Sequence, residues 1–260
     1  MKYIFLLSGD YASLGEEEII SLFDINDSKF IDRLVIADLH VNEKESAKSF
    51  KRLALTKSIY KFLFECKIGD LTEIMKNFGW NSVYNSNFCL RIFNFNEHNK
   101  KPNNEKNNKK LKNKKYQFQE KKLAGYIWRS VEKPKVSLES PKTLIQIFII
   151  KDKAYCGLLI YTNNEDFESR RSHLRPFPHP SSLHPKVARA LVNITGIKEN
   201  ETLLDPFCGT GGFLIEAGLM NIKSIGYDID KIMINGCIEN LNHYKIKKYK
   251  NKRQNALKIN

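Results

Sequence analysis

The residues best placed to do chemistry lie in one run, Leu204-Asp205-Pro206-Phe207-Cys208-Gly209-Thr210-Gly211-Gly212. A short apolar strand at 202–204 precedes it and a helical pattern from Gly212 follows it. Ligands of open α/β sheets bind at such strand-to-helix turns. Gly209 and Gly211 permit positive φ and let a ligand lie directly on the backbone. Leu214 stands where the dinucleotide fingerprint needs its third glycine, and no Lys-Ser/Thr follows, so neither a dinucleotide fold nor a phosphate loop is indicated. Asp205 at the strand end suits an ammonium group and repels a phosphate. Asp228 ends the next predicted strand, where an acid can accept from two ribose hydroxyls.

A ligand with a ribose and a cationic amino-acid part, and without phosphates, is S-adenosylmethionine. The plainer alternative is a glycine turn with two helix-capping acids, which the strand–turn–helix context disfavours. Cys208 resembles a nucleophile, yet no base lies near it in sequence, so it reads as a small filler beneath the turn.

The elements that hold this turn form the end of a mixed chain. Lys2–Leu7 and Val35–Ala37 read as strands, Glu16–Phe23 as a helix, and Leu53, Leu55, Ile59, Phe62 and Leu63 as the face of a second helix. Phe88–Phe95 alternates as a strand, and Lys142–Ile150 forms a hairpin with Ala154–Tyr161 around Lys151-Asp152-Lys153. This gives an α+β N-terminal half over 1–161. Residues 162–185, with four prolines and three arginines, read as a linker. From 186 to 260 the order becomes helix 186–194, buried strand 202–204, helix 212–219, strand 223–227 and helix 231–244. That alternation marks a parallel, doubly wound sheet.

Composition limits the partners. The chain has 260 residues, 43 Lys and Arg against 29 Asp and Glu, and a net charge of +14. The excess is concentrated: Asn99–Lys115 carries eight lysines and one glutamate, and Leu241–Arg253 six basic residues and no acid. Clustered cations favour a polyanion by releasing its counterions, although charge blocks are more often simply solvated. Tyr244 and Tyr249 among these lysines resemble a stacking surface, but Tyr244 fits the buried face of its helix better. No apolar stretch, Leu144–Ile150 included, approaches the length of a membrane span. No secretory leader is recognisable, so a soluble cytoplasmic protein is expected. Five dispersed cysteines without a C-x-x-C pair, and His179 and His184 around a proline, suggest neither disulfides nor a metal site.

Asp205–Gly212, together with Arg175-Pro176-Phe177 through Ala188-Arg189-Ala190, resembles the archaeal tRNA guanine-N2 methyltransferases, closest to those acting on the guanine at position ten. The likeness extends to Arg52-Leu53-Ala54-Leu55-Thr56 and Val136-Ser137-Leu138-Glu139-Ser140-Pro141. It implies a ferredoxin-like segment plus a THUMP domain that grips tRNA, followed by a partial Rossmann-like S-adenosylmethionine-dependent methyltransferase domain. Residues 99–115 look like an insertion. By the same resemblance, Asp205, Gly209 and Gly211 hold the methionine part of the cofactor, Asp228 the ribose, and Ile229 flanks the adenine. Asn255 stands where the family usually has an Asp for the adenine amine, keeping one contact without the charge. Lys109, Lys110, Arg129, Arg171 and Arg175 are candidate contacts to tRNA, and Arg170 shares their stretch of linker.

The family's Asp-Pro-Pro-Tyr or Asn-Pro-Pro-Tyr motif does not occur in the sequence, so no catalytic residue is assigned. A guanine exocyclic amine is a poor nucleophile, and that motif accepts its hydrogens and aligns it with the methyl group. The expectation is therefore the N-terminal portion of a methyltransferase, with a second polypeptide carrying the catalytic motif. The alternative is a non-catalytic tRNA-binding protein derived from the enzyme. A nucleic-acid adenine-N6 methyltransferase shares the Asp-Pro-Phe and Gly-x-Gly pattern but not the N-terminal likeness.

Overall fold

A computed structural model of the chain describes residues 1–40, 43–98 and 119–258. The basic run 99–115, with Lys109 and Lys110, lies outside the described residues. The chain divides into two compact units that do not follow sequence order. One comprises Met1–Leu6, Lys29–Asp38 and Ser58–Thr162, the other Leu7–Ser28, Leu39–Lys57 and Asn163–Asn260.

The first unit is built on a seven-stranded sheet. Its strands are β1 (Lys2–Leu7), β2 (Ser28–Ile31), β3 (Leu34–Asp38), β4 (Thr56–Lys67), β5 (Phe88–Asn94), β6 (Thr143–Ile150) and β7 (Lys153–Thr162), in the order β2-β3-β1-β4-β7-β6-β5. β6 and β7 form the expected hairpin, Ile145 opposite Leu158 and Ile150 opposite Lys153. Lys151 at its tip takes a φ of 54°. β5 runs parallel to β6, with Phe88 beside Thr143. A helix at 119–130 inserts Leu123 and Ile127 into a core that also holds Trp80, Phe88, Ile145 and Ile147.

The helix expected around Leu53–Leu63 is instead β4. Its pairing with β7 is irregular between Ile59 and Tyr60 and between Phe62 and Phe64. Each bulge shifts the inward–outward alternation by one residue, so the apolar spacing ceases to read as period two and imitates a helix. Ladder hydrogen bonds to β7 then outweigh a local pattern.

The second unit carries the glycine turn. A three-stranded parallel sheet, ordered β10-β9-β8, consists of β8 (Thr202–Asp205), β9 (Lys223–Asp228) and β10 (Tyr249–Arg253). Between them run two helices, Gly212–Leu219 and Lys231–His243, which bury Leu214, Ile215, Ile234, Cys237 and Leu241 in one cluster. β8 is not the buried strand that its sequence suggests. Among the described residues only β9 pairs with it, and Leu204 is 47% exposed.

A further helix, Pro185–Ile194, precedes β8 and starts on His184, whose Nδ1 accepts the Lys186 N–H at 3.2 Å. Helix Ala12–Phe23 packs on it within the same unit. Their contact is polar at its centre: fully buried Glu18 accepts from Ala54 N, Leu55 N and Asn193 Nδ2 at 2.7–2.9 Å. Burial raises the Glu18 carboxyl above its ordinary value, against the pull of those donors. Arg52 completes the set by donating to Asn193 Oδ1 and to the Ile197 carbonyl.

Candidate functional site

The end of β8 delivers Asp205 to the turn. Its Oδ1 accepts the Phe207 N–H at 3.0 Å, while Oδ2 is buried and has no hydrogen-bond partner. A buried acceptor left open costs stability unless a ligand fills it. Burial, and secondarily the neighbouring Asp228, raise the Asp205 carboxyl above its ordinary range.

The turn is tied to the next strand at two points. Cys208 N–H donates to the Tyr227 carbonyl at 2.8 Å, and Gly209 N–H to Asp228 Oδ2 at 2.9 Å. Asp228 Oδ1 accepts from Asp230 N at 2.9 Å, and Asp230 caps the helix Lys231–His243 through Ile232 N. Gly211 must be glycine. Its φ is +86°, and a Cβ would lie 2.6 Å from Cys237 Sγ. Gly209, at φ +49°, has only open space where its Cβ would be, so the backbone there is bare to a ligand.

These features border a cavity of about 400 Å³ whose wall includes Asp205, Gly209, Thr210, Phe213 and Asp228. Gly211 shapes the turn behind it. Ile229, 64% exposed, and Asn255 are not part of that wall. Asn255 Oδ1 accepts the Leu257 N–H at 3.0 Å, which leaves its amide nitrogen for any contact. Cys208 is buried, and its thiol is held far above its ordinary value by Cys237 and by burial. A thiol so placed stays protonated, in keeping with a filling role.

Several residues that fix this geometry escape a motif search. Asn240, fully buried, donates to the Phe177 and Thr210 carbonyls at 3.0 Å and accepts the Phe177 N–H, clamping the 162–185 segment to the glycine turn. The signal available was an amide on the same helix face as Cys237 and Leu241. Ser182 and Thr210 share a hydrogen bond at 3.0 Å across the same junction. Behind the turn, fully buried Glu216 accepts from Arg170 Nε at 2.9 Å and from Arg189 Nε at 2.8 Å.

The candidate RNA contacts separate. Arg129 is exposed, its guanidinium 5.0 Å from the centre of the Tyr126 ring. Arg171 is exposed and paired with Glu168 at 2.7 Å. Arg175 is the correction: it is 3% exposed and donates to the Arg170 carbonyl, so no polynucleotide reaches it. Arg170 is likewise buried and engaged by Glu216. The buried Glu216 carboxylate draws Arg170 inward, because a charge buried without a partner is costly. Among the described residues no cluster of three His, Cys, Asp or Glu is disposed to hold a metal ion, and no helix is long and apolar enough to cross a membrane.

Comparison with known proteins bears on this cavity. The model of the family described as UPF0020, RMKL-like, methyltransferase domain, matches residues 172–260. A tRNA (guanine(10)-N2)-dimethyltransferase of Pyrococcus abyssi is 30% identical over 262 residues, covering 100% of this chain and 73% of that protein. One from Methanothermobacter thermautotrophicus is 50% identical over 113 residues, 43% of this chain but 34% of its own length. The match to the Methanocaldococcus jannaschii protein, at 43% identity, also spans only 36% of that relative. The crystal structure of TrmN from Thermus thermophilus superposes with a TM-score of 0.56 at 16% identity, covering 98% of this chain and 74% of that one, a likeness of fold alone. The cofactor of a methyltransferase domain of this kind is S-adenosylmethionine. The open Asp205 oxygen, the bare Gly209 backbone and Asp228 fit its ammonium, its chain and its ribose.

Proposed function

The chain belongs to the tRNA (guanine(10)-N2)-dimethyltransferase family, and from that premise we propose that it binds tRNA and S-adenosylmethionine for methylation of a guanine N2 at position ten. The observation that carries this reading is the cavity in which an unpartnered Asp205 oxygen and Asp228 flank the Gly209 backbone. When bound, S-adenosylmethionine supplies an electrophilic methyl group. Asp205 accepts from the ammonium of its methionine part. Asp228 spends one lone pair per oxygen on Gly209 and Asp230 and keeps the others for ribose hydroxyls. Asn240 holds the segment through Phe177 against the turn, so the pocket is formed before the ligand arrives.

The first unit, in this reading, is the ferredoxin-like and THUMP portion that grips tRNA, with Arg129 at its surface. Guanine N2 must lose a proton as it accepts the methyl group, and this sequence contains no Asp- or Asn-Pro-Pro-Tyr to receive it. That group comes from a polypeptide segment bearing the motif, seated along the unpaired side of β8, where Leu204 is 47% exposed. A second reading is a tRNA-binding protein that transfers no methyl group. Incubating the chain with a tRNA transcript and methyl-labelled S-adenosylmethionine, alone and with a polypeptide carrying the motif, separates the two. Label in N2-methylguanosine at position ten only when both polypeptides are present is expected. Label in another nucleoside contradicts the proposal, and no label in either mixture favours the second reading.

A further inference from the structure

Beneath the glycine turn the second unit brings two thiols together. Cys208 stands in the turn after β8, and Cys237 lies on the helix Lys231–His243. Both are buried in one cluster with Leu214, Ile234 and Leu241, and neither is in a disulfide. The two thiols share a hydrogen bond. Glycines make the room for them. A Cβ on Gly211 would lie 2.6 Å from Cys237 Sγ, and one on Gly226 would lie 3.0 Å from Cys208 Sγ, so a side chain at either position would displace one of the sulfurs.

The two sulfurs differ in their surroundings. Cys237 Sγ accepts from Cys208 and, at 3.0 Å, from Asn251 Nδ2, and these donors hold its thiol below its ordinary value against the effect of burial. Cys208, the donor of the pair, is held above its own. Access runs the other way. Cys208 forms part of the wall of the cavity of about 400 Å³, whereas Cys237 lies behind it and outside that wall. The sulfur that a small solute in the cavity can touch is therefore backed by a base able to take its proton. At Cys66, Cys89 and Cys156, all in the first unit, burial raises the thiol instead.

We propose that Cys208 and Cys237 form an oxidation site for hydrogen peroxide, reached through the cofactor cavity and closed when that cavity is filled. Transfer of the Cys208 proton to Cys237 presents a Cys208 thiolate to the cavity, and the thiolate is the reactive form. Its sulfur attacks one peroxide oxygen: the S–O bond forms, the O–O bond breaks and hydroxide leaves. Cys237 then attacks the sulfenic acid on Cys208. The S–S bond forms, the S–O bond breaks, and the departing hydroxide leaves as water with the Cys237 proton. The dithiol gives up two electrons and the peroxide takes them. The closing of the site rests on the proposed function, which fills the cavity with S-adenosylmethionine; the dithiol itself does not.

The test exposes the full reduced chain to hydrogen peroxide, with and without saturating S-adenosylmethionine, then blocks free thiols and maps the cysteine peptides by mass. A disulfide between Cys208 and Cys237 of one chain is the expected first product, reversed by dithiothreitol and formed at least about tenfold more slowly beside the cofactor, since thiol oxidation follows access. Cys208→Ala should leave Cys237 unoxidised under the same treatment. Peroxide that consumes Cys66 while Cys208 and Cys237 stay reduced overturns the inference, and calorimetric titration of the same sample shows whether the proposed function stands. A disulfide that forms equally fast beside bound cofactor also overturns it. A chain that binds no S-adenosylmethionine overturns the proposed function; formation of the disulfide in that chain then supports the oxidation site, and its absence overturns that as well.

Discussion

Gly209 donates its backbone N–H to Asp228 Oδ2 at 2.9 Å, so the turn after β8 and the acid that ends β9 are fixed to each other before any ligand is present. A single carboxylate thereby shapes the glycine loop and lines the cavity. The two roles are inseparable at this residue. Asp228→Ala removes the acceptor for Gly209 and Asp230 together, and a lost hydrogen bond to a charged group costs about 1.5–3 kcal/mol. Cofactor affinity is expected to fall at least tenfold by calorimetric titration, with Asp228→Asn intermediate because its carbonyl keeps one acceptor.

Asp205 predicts a pH dependence. Its ordinary value is 3.8 and the folded protein holds it higher. Between those values the native state keeps a proton that the unfolded chain has released, so stability falls as pH rises through this window. Ammonium binding needs the ionised form. Affinity for S-adenosylmethionine should therefore weaken as pH drops through the raised value, and Asp205→Asn should bind weakly at every pH. The same variant should melt above the parent in the absence of ligand, because the buried charge is gone.

Much of this site was legible because local chemistry dictates it. A carboxylate at a strand end and glycines at positive φ announce themselves by type and spacing, and the parallel β8–β9 pair follows from short apolar runs between helices, whereas β10, Tyr-Lys-Asn-Lys-Arg, carries no apolar run to mark it. What stayed hidden depends on partners distant in the chain. β4 was unreadable as a strand because its bulges break the alternation that sequence patterns rely on. The burial of Arg170 and Arg175 was invisible because the acid that draws Arg170 inward, Glu216, lies on another helix. The compact units showed the same effect: residues 7–28 and 39–57 join the glycine-turn unit through contacts such as Glu18 with Asn193, 175 residues apart.

Glu216 is the strongest structural test. It sits wholly buried between Arg170 and Arg189, and breaking a buried ion pair by removing one partner costs about 3–5 kcal/mol. Glu216→Gln should lower the urea midpoint sharply at unchanged m-value. An effect below about 1 kcal/mol would mean that water reaches the pair.

Asn240 links stability to function through the Phe177 and Thr210 carbonyls. Asn240→Ala leaves those buried groups unsatisfied, at about 1–3 kcal/mol, and frees the 162–185 segment from the turn. Faster hydrogen exchange at Phe177 and weaker cofactor binding are expected together. Loss of one without the other would separate the clamp from the pocket.

The central claim is that the turn between β8 and its helix binds S-adenosylmethionine. Isothermal titration of the full chain with S-adenosylmethionine, beside Asp228→Ala, tests it most directly. A one-to-one complex in the micromolar range, as is common for enzyme cofactors, lost or weakened at least tenfold in the variant, is the predicted result. No binding by the parent, or equal binding by both, would contradict it.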